Sequence, residues 1–453
     1  MKLASKIGNR HFSFQSVKEV LAKANAPRSG DDLAGVSARD DIERVAARAV
    51  LSQLTLAQLR ENPVVPYEQD EITRLVEDNL NEDAFNSVKH LSVGQFREWL
   101  LSFESTSEKI LAISPGLTPE MAAAVCKLMS NMDLMIAAKK CKVIVKANNT
   151  FGLPGRLSSR VQPNHPYDDV DGIMAVAREG LSYGCGDAVL GINPATDSVE
   201  STREILTNLH RLRTTHNIPT QHCVLSHITI QMKALEKGCP MDLMFQSLAG
   251  TEKANNAFGI SVALIDEAWE IMKEKTSNKG PNLMYFETGQ GSALSSHANH
   301  DADQVTVEAR CYGFARKYNP FLVNTVVGFI GPEYLEDGAQ ITRAGLEDHF
   351  MGKILGLPMG CDACFTYHAK MSQNELESLK VQLAAAECSY LMSLPVGDDI
   401  MLNYQSTSFH DIPSLRHLLG KRPAPEFEEW LHTMEIWSGD KPGKNFGRAE
   451  RLL

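Results

Sequence analysis

Two acidic residues, one arginine and several amides occur where short apolar runs of this sequence end. Glu287 and Asp362 each end such a run, and Asn193 ends another. Arg160 and Gln162 lie in a polar segment that follows a further run. Carboxylates and amide oxygens can bind an ammonium group, and Arg160 and Asn193 can donate hydrogen bonds to a hydroxyl oxygen. These residue types predict a site for a small cationic substrate that carries a hydroxyl group.

Eight apolar runs, which alternate with amphipathic stretches from about residue 141 onwards, would position these side chains. The runs predict β-strands at 141–147, 188–193, 223–228, 242–247, 283–288, 321–327, 354–362 and 389–395. The stretches predict helices at 169–183, 198–217, 230–237, 252–275, 303–318, 339–349, 374–386 and 412–419. Eight strands that are each followed by a helix predict an α/β fold, the (β/α)8 barrel, with its chemistry at the carboxyl-terminal strand ends.

The first 140 residues predict mainly helices, because apolar residues recur three and four positions apart in 40–53, 70–78 and 118–138. Thr118 followed by Pro119 is a typical helix start, with a capping hydroxyl and then a proline in the first turn. The chain is therefore expected to divide into a helical region over 1–140, a catalytic barrel over 141–420 and a carboxyl-terminal extension over 421–453.

Composition argues against several classes of protein. The 453 residues carry a net charge of −11 without a basic stripe, so nucleic-acid binding is not expected. No uncharged apolar run approaches the about 18 residues that span a bilayer, and the amino terminus lacks a secretory signal. The nine cysteines are odd in number and seven stand alone, which is typical of reduced thiols in the cytosol.

The sequence lacks the common motifs for a phosphate-binding loop, a zinc protease or a serine nucleophile. Cys361 and Cys364 form a lone CxxC without a second pair, so no metal site is predicted. Demanding chemistry would then need an organic cofactor. Two other interpretations stay open. One is a cofactor-free lyase or aldolase with a Schiff base on Lys146, and the other is a non-catalytic barrel that serves as a scaffold.

Six long segments resemble the large, catalytic subunit of the adenosylcobalamin-dependent ethanolamine ammonia-lyases. They are PGRLSSRVQPN, GDAVLGINPATD, YFETGQGSALSS, ARCYGFARKYNPFLVNTVVGFIGPEYL, RAGLEDHFMGKILGLPMGCD and VGDDIMLNYQSTSFHD, within a resemblance over about residues 15–435. That family has a (β/α)8 barrel behind an amino-terminal helical region. It converts ethanolamine to acetaldehyde and ammonia by radical chemistry, so the resemblance implies a carbon–nitrogen lyase here.

The resemblance also implies roles for individual residues. The substrate-binding positions are matched by Arg160, Gln162, Asn193, Glu287 and Asp362, of which Arg160, Glu287 and Asp362 are expected to be catalytic. The positions that touch cobalamin are matched by Pro194, Gln246, Ser295 and Met401, and nearby pocket positions by Ser247, Phe329 and Met392. The implied partners are a small cobalamin-binding subunit and further copies of this chain, in a trimer of dimers. The implied location is the bacterial cytoplasm or a microcompartment lumen.

One position departs from the family's pattern. An acidic residue that faces the adenosyl ribose is expected in the helix after the fourth strand, where this chain has Ala257. Either the ribose loses one acceptor, or Asn255 or Asn256 supplies a substitute. Cofactor affinity therefore depends on this helix, whereas the reaction class does not.

Overall fold

The computed structural model describes residues 3–399 and 401–453 and is centred on an eight-stranded sheet that is rolled into a nearly closed barrel. The strands are β1 Ser158–Val161, β2 Val189–Ile192, β3 His222–Val224, β4 Met244–Ser247, β5 Met284–Thr288, β6 Leu322–Val327, β7 Met359–Ala363 and β8 Tyr390–Ser393. Their order is β3-β2-β1-β8-β7-β6-β5-β4, and all neighbours are parallel. The predicted α/β barrel is confirmed.

The two strands at the ends of this order, β3 and β4, are joined by a side chain. Within the described residues they share no backbone ladder. Instead Gln231, in the helix after β3, donates from Nε2 to the carbonyls of Ser226 and Phe245 at 2.6 and 2.8 Å. Its Oε1 accepts from the amide of Phe245 at 3.0 Å. The side-chain amide thus satisfies backbone groups that an open sheet edge would leave unpaired.

A helix follows every barrel strand, as expected. The helices around the barrel are Val170–Ser182, Val199–Thr215, Ile228–Glu236, Glu252–Ala257, Val262–Lys275, Ser292–Ser295, Gln304–Arg316, Gly338–Ile354, Gln373–Ala385 and Asp411–Leu419, with Pro425–Thr433 after them. Two of these helices differ from prediction by more than two residues. The stretch 252–275 contains two helices, because Gly259 lies between them with φ +74°. The helix predicted over 339–349 continues to Ile354, so β7 begins only at Met359.

Helices of the amino-terminal part pack onto the barrel helices. They are Val17–Ala24, Ser29–Leu33, Asp41–Leu51, Leu56–Arg60, Glu71–Asp78, Glu82–Val88, Val93–Leu101, Ser107–Ile113, Pro119–Lys127 and Asn131–Lys140, after a hairpin of Ala4–Ile7 with Arg10–Ser13. The stretch 118–138 is two helices because Ser130 caps the second one. Buried Arg310 joins this region to the barrel through Asp70 and Glu120, at 2.7 and 2.8 Å. The division of the chain into three parts stays a prediction.

The predicted first strand, 141–147, is wrong. Val145–Lys146 pairs in an antiparallel hairpin with Thr150–Phe151. Its apolar side chains pack against residues at the amino-terminal strand ends, among them Phe321 and Leu322. The true first strand has the sequence SSRV, which is too short and polar to show a strand pattern. Arg160 is therefore a strand residue, and Lys146 is exposed at the end of the barrel opposite to the carboxyl-terminal strand ends.

A small antiparallel sheet lies at the carboxyl-terminal strand ends, called the mouth below. It contains Phe365–Thr366, Asp398–Asp399 and Tyr404–Gln405, in loops after β7 and β8. A last hairpin pairs Trp437–Ser438 with Lys441–Pro442. Within the described part of the chain, no helix has both the length and the apolar composition that a membrane crossing requires.

Candidate active site

Arg160 of β1 is the centre of a polar cluster at the mouth, and only 1% of it is exposed. Its Nη1 donates to the Tyr285 hydroxyl and to Oε1 of Glu287, each at 2.5 Å. Its Nη2 donates to Gln162 Oε1 at 2.6 Å, and its Nε to the Gly191 carbonyl at 3.3 Å. Burial opposes the charge, but Tyr285 and Glu287 outweigh it and raise the pKa of Arg160. Four of five N–H groups are engaged, which leaves one on Nη2.

Glu287 of β5 has one saturated oxygen and one open oxygen. Oε1 accepts from Arg160, from the Tyr285 hydroxyl and from Asn324 Nδ2 at 3.1 Å. Among the described residues no donor contacts Oε2, and the side chain borders a cavity of about 310 Å³ with Ser247 and Phe329. The buried Oδ1 of Asn324 also has no described partner. Glu287 and Asn324 therefore offer two unused acceptors, which suits an ammonium group.

Asp362 of β7 is a buried carboxyl group without a direct cationic partner among the described residues. Its Oδ1 accepts from the Ser406 hydroxyl at 2.6 Å, and its Oδ2 from the Tyr404 hydroxyl at 3.1 Å. Burial raises the pKa of Asp362 from 3.8 to about 7, although Ser406 and the charge of Arg160 act in the opposite direction. The mouth thus holds one carboxylate paired with arginine and one carboxyl group that exchanges a proton near neutral pH.

The Asp362→Asn variant is expected to gain stability relative to wild type as the pH rises from 5 to 8. A carboxyl group whose folded-state pKa is raised binds its proton more tightly in the folded than in the unfolded chain. The contribution of Asp362 to the free energy of unfolding therefore falls as the pH rises from about 4 to about 7. Asparagine does not titrate. Thermal melts at both pH values should show a melting-temperature difference that moves by a few degrees in favour of the variant, and a pH-independent difference would contradict the assignment.

Gln162 connects Arg160 to the small sheet at the mouth. Its Oε1 accepts from Arg160 and from Asn193 Nδ2, the latter at 3.0 Å. Its Nε2 donates to Asp399 Oδ2 at 2.7 Å and to the Tyr404 hydroxyl at 2.9 Å. Both lone pairs and both N–H groups of its side-chain amide are in use, whereas Asn193 retains an N–H group for a ligand. Gln162 consequently orients the site more than it offers free donors.

The residues predicted to touch the cofactor lie around the same mouth. Pro194 and Met401 are half-buried and lie in the loops after β2 and β8, whereas Ser295 is exposed and ends the short helix Ser292–Ser295 after β5. Met401 borders a second cavity, of about 450 Å³, together with Gln162 and Asp399. Ser247 and Phe329 border the first cavity, as described above.

Two predicted cofactor residues have little free surface. Gln246 accepts from the Ile228 amide at 3.0 Å and donates to the Ser247 carbonyl at 3.1 Å, so its amide is mostly occupied within the chain. Met392 is fully buried in an apolar cluster with Leu394 and Tyr404, against which Phe329 packs. Both residues support the wall of the mouth through neighbours that face the cavities.

The structure adds residues that sequence analysis missed, namely Tyr285, Asp399, Tyr404 and Ser406. Tyr285 lies two positions before Glu287, so both side chains point to the same side of β5. The same spacing relates Tyr404 to Ser406, which both contact Asp362. The period of two within a strand was a usable signal for Tyr285. The contacts of Asp399 and Tyr404 arise from the fold of a loop and had no such signal.

The helix with Ala257 leaves one of the two proposed substitutes available. Asn255 is buried, and its side-chain amide binds the backbone N–H and carbonyl of Ala249 at 2.8 and 2.9 Å. It therefore has little capacity left for a ligand. Asn256 is exposed, as is Ala257.

Neither a metal nor a Schiff-base lysine finds support in this geometry. Among residues 3–399 and 401–453, no three His, Cys, Asp or Glu side chains are grouped to hold a metal ion. Cys361 and Cys364 are buried, and Cys364 Sγ donates to the Val327 carbonyl at 2.8 Å. Lys146 lies away from the mouth, as described above.

Comparison with known proteins decides the family. A family model described as "Ethanolamine ammonia lyase large subunit" matches residues 12–445. The chain belongs to the ethanolamine ammonia-lyase large-subunit family. It is 54% identical over 447 residues to the ethanolamine ammonia-lyase large subunit of Salmonella typhimurium (strain LT2), with 99% of both chains covered. The large subunit of Escherichia coli (strain K12) is 53% identical over the same share of both chains. The predicted family resemblance is confirmed, and the chain is assigned to the carbon–nitrogen lyases.

Proposed function

We propose that this chain is the catalytic subunit of an adenosylcobalamin-dependent enzyme that converts ethanolamine to acetaldehyde and ammonia. The observation that carries the proposal is the Arg160–Glu287 pair at the mouth, with Asp362 and amides beside it. Ethanolamine is the substrate in the name of the family, and it matches this set of groups. The substrate is small, cationic at neutral pH, and carries one hydroxyl group.

Both ends of ethanolamine have complementary groups in the site. The free N–H of Arg160 and the amide of Asn193 donate to the hydroxyl oxygen. The open Oε2 of Glu287 and the unpaired Oδ1 of Asn324 accept from the ammonium. Hydrogen bonds to charged groups contribute about 1.5–3 kcal/mol each, so these contacts orient the substrate as well as bind it. Only the ammonium end of ethanolamine is charged, so the substrate binds in one orientation.

The residues at the mouth are compatible with a cobalamin cofactor. Pro194, Ser295 and Met401 follow three different strands at the mouth, and the walls of the cavity there include Phe329 and Val326. Rim residues would hold the cofactor, with Gln246, Ser247 and Met392 in the supporting wall. When bound there, the cofactor would supply the radical chemistry that the side chains of this chain lack. An apolar wall that excludes water limits side reactions of radicals.

The chain's own residues would bind and position the substrate throughout the reaction. Arg160 cannot lose its charge at neutral pH, so it stabilises the hydroxyl oxygen at every stage. Glu287 binds the amino group of the substrate through its open Oε2. Asp362, whose pKa lies near 7, can hold or release a proton at its carboxyl oxygens when the amino group leaves. One acidic residue thus binds the ammonium group, and the other exchanges a proton when the amino group leaves.

The same family membership leads us to propose the chain's partners and location. A small cobalamin-binding subunit would complete the cofactor site above the mouth, and further copies of this chain would form a trimer of dimers with small subunits. The location would be the bacterial cytoplasm or a microcompartment lumen. Within the chain, 1–140 would be a helical region, 141–420 the catalytic barrel and 421–453 an extension.

A spin-resonance measurement tests the proposal directly. The chain is mixed anaerobically with its small subunit, adenosylcobalamin and ethanolamine, and frozen during turnover. We expect an organic radical signal that requires all four components, and acetaldehyde as product. If a folded complex binds ethanolamine and cofactor but gives neither signal nor product, the proposed radical reaction is refuted. Failure to bind the cofactor would direct attention to the helix of Ala257.

Tyr285→Phe is expected to lower kcat/KM for ethanolamine by about 10- to 100-fold, because its hydroxyl joins Arg160 to Glu287. Loss of such a buried bridge costs about 1–3 kcal/mol. Tyr318→Phe is the control, since Tyr318 is equally buried but binds Asp266 at 3.0 Å, away from the mouth. Steady-state kinetics of both variants should separate them, and equal activities would show that the bridge has no part in the reaction.

A further inference from the structure

Two buried carboxyl groups behind β5 and β6 have no role in the site described so far. Glu308 lies in the helix after β5 and Asp348 in the helix after β6, and both are 2% exposed or less. Among the described residues, neither forms an ion pair. Arg310 pairs with Asp70 and Glu120 instead, and Arg343 with Glu347. Buried carboxyl groups without cations are costly, so their contacts call for an explanation.

Asp348 contacts the chain on both sides of Glu287. Its Oδ1 accepts from Gln290 Nε2 and its Oδ2 from the Thr325 hydroxyl, each at 2.7 Å. Gln290 lies three residues after Glu287 in the loop that leaves β5. Thr325 follows Asn324, which donates to Glu287 at 3.1 Å. One carboxyl group therefore fixes the loop after Glu287 and the strand that carries its amide partner.

Glu308 is linked to the residues between Glu287 and Gln290 through Tyr312. Its Oε1 accepts from the Tyr312 hydroxyl at 2.9 Å. The Thr288 hydroxyl donates to the same Tyr312 hydroxyl at 3.5 Å. Gly289 lies so close to β6 that an added Cβ would be 3.0 Å from the Val326 carbonyl. Segment 288–290 is thus held by Asp348 directly and by Glu308 through Tyr312, and it packs against the neighbouring strand.

Burial and mutual repulsion decide the protonation of Glu308 and Asp348. Burial raises the pKa of Glu308 and of Asp348, and Glu308 raises that of Asp348 further. Two neighbouring carboxyl groups in a dry site do not both ionise at neutral pH. A neutral carboxyl group has the shape and hydrogen-bonding groups of a side-chain amide. Asparagine at position 348 should therefore keep the contacts that alanine removes.

We propose that Asp348 and Glu308 are positioning residues, which hold segment 288–290 and Thr325 and so direct Glu287 into the cavity. Asp348 acts in this role as a neutral hydrogen-bonding group. The inference rests on the proposed function only where it is measured by turnover, because the positions of these segments can be measured without substrate.

The test compares Asp348→Ala with Asp348→Asn in the complex with the small subunit. Asp348→Ala should lower kcat/KM for ethanolamine at least 30-fold and speed amide hydrogen exchange in peptides that cover 284–295. Asp348→Asn should stay within threefold of wild type by both measures. Glu347→Gln is the control, because Glu347 is a buried neighbour on the same helix that pairs with Arg28 and Arg343. It should lower the melting temperature while kcat/KM stays within twofold.

Several results would overturn the proposal. These are an active Asp348→Ala variant, an Asp348→Asn variant as impaired as Asp348→Ala, or faster exchange with unchanged kcat/KM. If Asp348→Ala does not fold, Thr325→Val takes its place, because it removes only the hydroxyl that Asp348 binds. It should lower kcat/KM at least fivefold, and wild-type kinetics would then refute the proposal. A wild-type complex without turnover would refute the proposed function, while hydrogen exchange would still decide between the Asp348 variants.

Discussion

Replacing Glu287 by glutamine is expected to reduce ethanolamine turnover by a factor of about 10³, which is the largest effect of any isosteric change in this site. Oε1 of Glu287 accepts from three donors, so a glutamine must place its carbonyl oxygen there and its NH2 toward the cavity. That NH2 group would face the substrate ammonium. Removing one partner of a buried ion pair costs about 3–5 kcal/mol, and about 4 kcal/mol at the transition state corresponds to 10³ in rate.

The variant should also lose some stability, since Arg160 would be buried without its partner carboxylate. Glu428→Gln controls for this loss. Glu428 accepts from Arg156 and Arg422, and its side chain is 11% exposed compared with 14% for Glu287. It lies on the last long helix, away from the mouth. Rates per folded enzyme should stay within twofold in this control. A Glu287→Gln enzyme that retains a tenth of wild-type kcat would disprove the role of the carboxylate.

The sequence predicted the barrel because alternation of strands and helices is a property of the whole chain. The incorrect strand at 141–147 did not change the number of strands, because it stood in for the missed strand Ser158–Val161. That error arose because the apolar run is buried against the amino-terminal end of the barrel. Its residues are therefore as hydrophobic as those of a buried strand. The true β1 contains two serines and Arg160, and of these Arg160 belongs to the site. Arg160 was therefore found by type and resemblance, although its local structure was predicted as a loop.

The candidate site was predictable where a residue both ends a strand and has unusual chemistry, as Glu287 and Asp362 do. The supporting contacts were not. Tyr404 and Ser406 reach Asp362 from a loop about 40 residues further along the chain, and no local pattern reports such a contact. Asp348 lies within an ordinary helical pattern, and only the packing of that helix against β6 places its carboxyl group beside Thr325.

Replacement of Arg160 should show that its geometry matters in addition to its charge. Lysine keeps the charge but offers a single nitrogen, whereas Arg160 donates to Tyr285, Glu287, Gln162 and Gly191 from three nitrogens. We expect Arg160→Lys to lower kcat/KM about 10²-fold. Arg160→Met should be at least tenfold worse, because it leaves the carboxylate of Glu287 buried without a cation.

Arg310→Lys is the matched control for this pair of variants. Arg310 is as buried as Arg160, and it donates to Gly250, Glu120, Asp70 and Thr73 at the junction with the amino-terminal helices. Lysine there should lower the melting temperature but leave kcat per folded enzyme within twofold. Kinetics corrected for the folded fraction separate the two positions. If Arg310→Lys loses as much kcat as Arg160→Lys, a general loss of buried arginine contacts explains both, and Arg160 has no specific role at the substrate hydroxyl.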